Sequence, residues 1–158
     1  MKIHGHTLRD YFRLLAPLFA LIAIVWALRL LLSMIGTPLW IVRLVSVSIA
    51  LALAVVLAVL LIHVRRFGGY PHVFLVSFLL VVWREVLIIG AILFSVATGR
   101  ENIFTAPEFS IPEKDPHHIH HILGHLTFDI GAGVLLSGLM GCLFLWMLRK
   151  IVPPRPTR

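Results

Sequence analysis

The sequence predicts an all-α membrane protein with four transmembrane helices in an antiparallel bundle, and three observations support this fold class. The 158-residue chain is 59% hydrophobic and 13% charged, whereas soluble proteins carry about 25% charged residues. Four apolar stretches, at residues 14–35, 44–62, 73–97 and 126–148, approach the roughly 20 residues that a helix needs to cross a bilayer. Short connections rich in glycine and proline join the first three stretches, which favours antiparallel hairpins.

These stretches set the expected domain organisation. We expect residues 1–158 to form a single four-helix transmembrane domain. The first span is not expected to be a signal peptide, because its apolar core is long for one and no small-residue cleavage site follows it. The predicted spans cover 14–35, 44–62 and 73–97, followed by an external loop over 98–115 and a long helix over 116–149 that contains the fourth span.

The basic residues predict the orientation of the chain. Nine Lys and Arg residues flank the spans on one side and three on the other, and cytoplasmic flanks carry the excess. Both termini are therefore predicted to be cytoplasmic, with residues 98–115 outside, and the expected location is the cell inner membrane. The net charge of +7 does not indicate nucleic-acid binding, because that would require basic residues clustered on a soluble face.

The fourth helix is predicted to extend beyond the bilayer on the outer side. Asp115 and Pro116 are residue types typical of an N-cap and a first helical position, and Pro107 and Pro112 favour an irregular loop before them. A helix over 116–149 would be about 51 Å long at about 1.5 Å per residue. Its first turns should therefore project outside the membrane.

Histidines occupy these projecting turns. His117, His121, His125 and Asp129 lie four residues apart and share one helical face, and His118 is a further neighbour of His121. Imidazole and carboxylate groups are ligands for transition metals such as zinc or copper. One helix rarely supplies more than two ligands to one ion, so the others would come from another chain or from loop acids: Glu101, Glu108 or Glu113.

Two other interpretations of the histidine segment stay open. The rings can serve as interfacial polar groups that contact headgroups, or they can form a pH-responsive cluster. Haem is not expected, because His63 and His72 lie at the rim of the membrane, whereas a bis-histidine haem uses residues well inside two facing helices.

Four charged residues lie within the predicted spans: Arg29, Arg84, Glu85 and Asp129. A charge at this depth costs about 2.5–3.5 kcal/mol, so we expect an intramembrane polar network in which Arg29 pairs with Glu85, and Arg29 or Arg84 pairs with Asp129. Arg84 and Glu85 are adjacent, so they are expected to face different helices. The network would serve either as a proton relay or ligand pocket, or as structural ion pairs.

The fourth span also carries small residues at four-residue spacing, namely Gly133, Ser137 and Gly141. Small residues at this spacing permit close helix approach in lipid. We expect this face to pack against another helix, within the chain or in a partner subunit.

These observations leave three functional hypotheses. The motifs of common hydrolases, nucleotide-binding proteins and zincins are absent from the sequence, so an enzyme is not the favoured class. The first hypothesis is a small polytopic membrane protein that binds a transition metal or similar ligand at a periplasmic histidine cluster. The second is an accessory subunit of a larger membrane complex, and the third is a proton-coupled carrier that uses Glu85 and Asp129. The expected partners are the lipid bilayer and either further copies of the chain or other membrane subunits.

Overall fold

A computed structural model describes residues 2–3, 5–106 and 118–152. Within these residues, four helical segments are long and apolar enough to cross a membrane: Leu8–Met34, Leu39–Val64, Tyr70–Thr98 and Ile119–Ile151. This confirms the prediction of a helical multi-pass membrane protein with four candidate spans.

The elements follow one another along the chain with short connections where the structure describes them. A two-residue strand pair precedes the first helix, a short helix leads into the second span, and a π-helical turn lies within the last one. The elements are β1 (Lys2–Ile3), β2 (His6–Thr7), α1 (Leu8–Met34), α2 (Leu39–Leu44), α3 (Val47–Val64), α4 (Tyr70–Thr98), α5 (Ile119–Gly124), the π turn (His125–Asp129) and α6 (Ile130–Ile151).

Local sequence signals account for several helix ends. The Asp10 carboxylate accepts hydrogen bonds from the backbone N–H and the hydroxyl of Thr7, both at 2.7 Å, so it satisfies donors at the start of α1. The Ser46 hydroxyl accepts a 3.3 Å bond from Ile49 N–H and caps α3. Gly99 has a φ of +65° at the end of α4, which is the left-handed conformation that commonly ends helices.

The start of the last helical segment differs from the predicted position. His118 has a φ of +54°, and a residue in this left-handed region cannot continue a right-handed helix. The described helix therefore begins at Ile119, whereas the expected N-cap at Asp115 and Pro116 lies outside the described residues. At 33 residues, the segment is about 50 Å long, which is longer than a bilayer is thick.

The small residues of α6 pack inside the chain. A Cβ atom at Gly133 would lie 3.1 Å from Val81 of α4, and one at Gly141 would lie 2.7 Å from Val73 of α4 and 3.3 Å from Val59 of α3. Ser137 between them is buried. This face therefore lets α6 approach α3 and α4 closely, as expected for small residues in membrane helices.

Substitution of Gly141 tests this close approach. Gly141→Val should lower the free energy of unfolding by about 1–3 kcal/mol, because the added methyl groups would overlap β-branched side chains on two helices. The measurement is a detergent denaturation curve followed by far-UV circular dichroism. Gly131→Val is the matched control, since a Cβ there meets no described atom within 4 Å. Equal stability of the two variants would contradict the packing argument.

Candidate metal centre

The structure brings together one residue of α4 and two of the π turn. His125 Nδ1 lies 2.8 Å from Glu85 Oε2 and 2.8 Å from Asp129 Oδ2. The three potential ligand atoms all lie within 4.8 Å of one another. The Glu85 side chain is 1% exposed, that of His125 13% and that of Asp129 39%. Two carboxylates and an imidazole thus share a small, largely buried volume in which they could hold a metal ion.

The π turn positions two of these three residues. It runs from His125 to Asp129, and the Ile130 N–H bonds the His125 carbonyl five residues earlier, which widens the helix locally. Single π-helical turns inside α-helices are rare and occur frequently at functional sites. Here the widened turn aligns the His125 ring with the Asp129 carboxylate of the same helix.

Glu85 divides its two oxygens between two partners. Arg84 Nε donates a 2.6 Å hydrogen bond to Glu85 Oε1, and Arg84 Nη2 contacts the same oxygen. Oε2 faces His125. The two neighbouring side chains therefore pair with each other, because the long arginine side chain folds back onto Glu85.

The contacts of His125 Nδ1 place a chemical demand on the cluster. Ionised carboxylates only accept hydrogen bonds, so two oxygens at 2.8 Å from one ring nitrogen cannot be held there by a bare lone pair. Nδ1 can carry a hydrogen that both oxygens share, accept one from a carboxyl group that is itself protonated, or coordinate a cation together with both oxygens. A cation would also offset the repulsion between the Glu85 and Asp129 charges.

The remaining histidines extend away from this cluster. His125 Nε2 lies 3.2 Å from His121 Nε2, on the opposite side of the ring from the carboxylates, and the rings of His118 and His121 are 6.3 Å apart. His117 lies outside the described residues. The predicted stripe thus contains neighbouring side chains, but only His125 and Asp129 of the described stripe residues face one common point.

Of the acids expected to complete the site, the structure describes Glu101 alone, and Glu101 is not part of the cluster. Glu101 lines a separate small cavity beside Met34 and Arg100, and Glu108 and Glu113 lie outside the described residues. Glu85 provides the third potential ligand of the cluster, beside His125 and Asp129. Counting about 1.5 Å per residue from residue 73 places Glu85 about 18 Å along its predicted span, which is the midpoint, so its depth alone did not single it out as a partner of His125.

Arg29 is close to the cluster but does not pair as expected. Among the residues that the structure describes, Arg29 forms no ion pair with Glu85 or Asp129, and Arg84 does not pair with Asp129. The Arg29 guanidinium carbon lies 5.5 Å from the Phe104 ring centroid. Arg29 instead lines a cavity of about 390 Å³, together with His121, His125 and Asp129.

The segment after α4 forms one wall of this cavity, and sequence reasoning missed it. Ile103 and Phe104 are buried and line the cavity. Asn102 holds them in place, because its Nδ2 donates to Ala91 O at 2.9 Å and its Oδ1 accepts from Phe104 N–H at 2.8 Å. Two adjacent apolar residues within a polar loop were the only sequence signal for this return onto α4.

Comparisons of the chain with protein family models, with curated proteins and with solved structures find no significant match. The function must therefore be argued from the chemistry of the cluster. One imidazole nitrogen and two carboxylate oxygens form a ligand set that suits zinc and related transition metals.

Proposed function

We propose that this protein is a small multi-pass inner-membrane protein that binds a transition metal ion between Glu85, His125 and Asp129, near the periplasmic end of a four-helix bundle. The observation that carries the proposal is the single nitrogen, His125 Nδ1, at 2.8 Å from an oxygen of each carboxylate. A divalent cation at their common point satisfies all three groups and removes the repulsion between the acids.

Zinc fits this ligand set best. It takes imidazole nitrogen and carboxylate oxygen at about 2.0–2.2 Å in tetrahedral geometry, so neighbouring ligand atoms lie about 3.3–3.4 Å apart. The 2.8 Å separations in the structure require outward movements of only about half an ångström. Three protein ligands leave a fourth coordination position, which is typical of zinc sites that act on or exchange a ligand.

His121 acts in this proposal as the residue that orients His125. With Nδ1 bound to the metal, the His125 Nε2 carries the hydrogen and donates it to His121 Nε2 at 3.2 Å. A partner for the second ring nitrogen commonly fixes the tautomer and the ring orientation of a metal-binding histidine. Of the described stripe residues, His125 and Asp129 therefore contribute one ligand each, and His121 supports His125 without ligating the metal.

Contacts between α4 and α6 support the antiparallel arrangement that the proposal assumes. Arg149 near the end of α6 donates to Gly68 O at 3.3 Å and lies over the ring of Tyr70 at the start of α4. His125 contacts Asp129, which precedes Arg149 in the last span, and Glu85, which follows Tyr70 in α4. The end of the last span therefore lies beside the start of α4, and its earlier part lies beside a later part of α4. The excess of Lys and Arg lies within residues 1–13, 65–66 and 149–158. Together with the antiparallel arrangement of α4 and α6, this excess favours cytoplasmic termini and a periplasmic metal site.

Metal analysis of the purified full-length protein tests the proposal. After zinc loading in mild detergent and removal of free ions, we expect about one zinc per chain by elemental mass spectrometry. His125→Ala should reduce the zinc content to background, because it removes the ligand that both carboxylates face. His63→Ala is the matched control, since His63 lies at the far end of α3 from the cavity-lining Val47 and Ser48. A wild-type zinc content no higher than that of His125→Ala would refute the proposal.

The other two roles have less geometric support. The small residues of α6 contact α3 and α4 within the chain, so an accessory subunit would have to contact its partner through another surface. Glu85 pairs with Arg84 and His125, which suits a cation site better than a carrier carboxylate that exchanges its proton. Assembly with further copies or with other membrane subunits stays a prediction, and the particle mass in mild detergent tests it.

A further inference from the structure

The cavity beside the metal centre has the size and lining of a site for an organic ligand. Its volume is about 390 Å³, within the range of about 300–1,000 Å³ that is usual for small-molecule sites. Residues of α1, α3, α4, the loop segment and the last span line it. The lining comprises Arg29, Val47, Ser48, Ile88, Ile103, Phe104, His121, Gly124, His125, Phe128 and Asp129.

Arg29 provides a cation that the described protein groups leave without a counter-charge. Its Nε is buried and has no hydrogen-bond partner among the described residues, and the guanidinium contacts the face of Phe104. A guanidinium placed at membrane depth is costly unless an anion satisfies it. Its planar fork matches the oxygens of a phosphate or carboxylate group.

The charge balance favours phosphate over carboxylate, and this step depends on the metal site proposed above. Arg29 and Arg84 contribute +2, Glu85 and Asp129 contribute −2, and a divalent metal ion leaves an excess of +2. A phosphate monoester carries about −1.5 to −2 at pH 7 and nearly cancels that excess. A carboxylate with a single negative charge would leave the cavity positive.

The apolar part of the lining indicates what the phosphate is attached to. Side chains of Val47, Ile88, Ile103, Phe104 and Phe128 form much of the wall, and inorganic phosphate would leave these surfaces uncovered. An apolar chain would cover them and gain the free energy of apolar contact. In a membrane-spanning protein the surrounding bilayer supplies such molecules.

We propose that this cavity binds a lipid phosphate monoester, with its phosphate between Arg29 and the metal ion and its apolar chain against the Ile103–Phe104 wall. Arg29 is a binding residue in this arrangement and does not ligate the metal. The guanidinium of α1 and the metal ion held by α4 and the last span approach the same phosphate, so the ligand links α1 to both of these elements.

Ligand titrations on zinc-loaded full-length protein in mild detergent test the inference, with bound molecules counted by native mass spectrometry. The probes are lysophosphatidate, a monoacylglycerol with the same chain, and inorganic phosphate. We expect lysophosphatidate to bind at least about tenfold more tightly than either of the others, because only it carries both parts. Equal affinity for lysophosphatidate and monoacylglycerol would overturn the phosphate assignment. Equal affinity for lysophosphatidate and inorganic phosphate would overturn the lipid source in favour of the free ion.

A variant at Arg29 separates this inference from the metal proposal. Arg29→Gln should weaken lysophosphatidate binding by about tenfold to hundredfold while the zinc content stays at the wild-type value. The matched control is Arg100→Gln, since Arg100 lies after α4 and lines the other cavity. Unchanged lysophosphatidate binding in Arg29→Gln would overturn the inference and leave the metal site standing. A wild-type protein without zinc would overturn the metal site, and with it the charge argument made here.

Discussion

Glu85→Ala should lower the free energy of unfolding by about 3–5 kcal/mol, the cost of breaking a buried ion pair by removing one partner. The Glu85 side chain is 1% exposed and that of Arg84 14%. Without the carboxylate, the Arg84 guanidinium stays within the bundle with neither its counter-charge nor its hydrogen bonds to Oε1. His125 also loses the contact that joins the π turn to α4.

The measurement is a denaturation series of purified variants in one detergent, followed by far-UV circular dichroism. Glu101→Ala is the matched control, because Glu101 is exposed and its removal should change stability by about 0.5 kcal/mol or less. The double variant Arg84→Met, Glu85→Leu should recover most of the loss, since an apolar pair of similar volume requires no counter-charge. Similar curves for Glu85→Ala and Glu101→Ala would contradict a stabilising role for the ion pair.

Zinc should stabilise the folded protein by about 4 kcal/mol when its free concentration is about 1,000-fold above the dissociation constant. The reason is mass action, because the folded chain assembles Glu85, His125 and Asp129, whereas unfolding separates Glu85 from the other two. Asp129→Asn should abolish most of this dependence, since an amide oxygen is a neutral and weaker ligand than a carboxylate.

Thermal unfolding at increasing zinc concentration measures this effect. Asp10→Asn is the control with the same chemical change, because Asp10 caps α1 through Thr7 and contributes nothing to the cluster. It should lower the basal melting temperature and preserve the shift on zinc addition. A zinc-dependent shift that is as large in Asp129→Asn as in the wild type would exclude Asp129 as a ligand.

Features that depend on neighbouring residues could be predicted from the sequence. The four spans follow from apolar stretches of sufficient length, since lipid tolerates only helices in which each backbone group is bonded within the segment. The side-by-side placement of His121, His125 and Asp129 likewise follows from helical spacing. These side chains remain in contact although the helix forms a π turn from His125 to Asp129.

Features that depend on long side chains or distant segments could not be predicted in this way. Arg84 and Glu85 point about 100° apart on an ideal helix, yet the flexible arginine stem lets the two groups meet. Ile103 and Phe104 occupy a loop, and only the hydrogen bonds of Asn102 to α4 and to the loop itself explain their burial.

The sequence by itself determined that this chain is a helical membrane protein and that one face of its last helix carries histidines and an aspartate. The tertiary structure alone decided which of those groups form a candidate metal centre, because it packs Glu85 of α4 against His125, 40 positions away. It also decided that Arg29 faces a cavity and not a carboxylate. Spacing along one helix specifies which side chains share a face, whereas the groups that meet across two helices depend on how the helices pack.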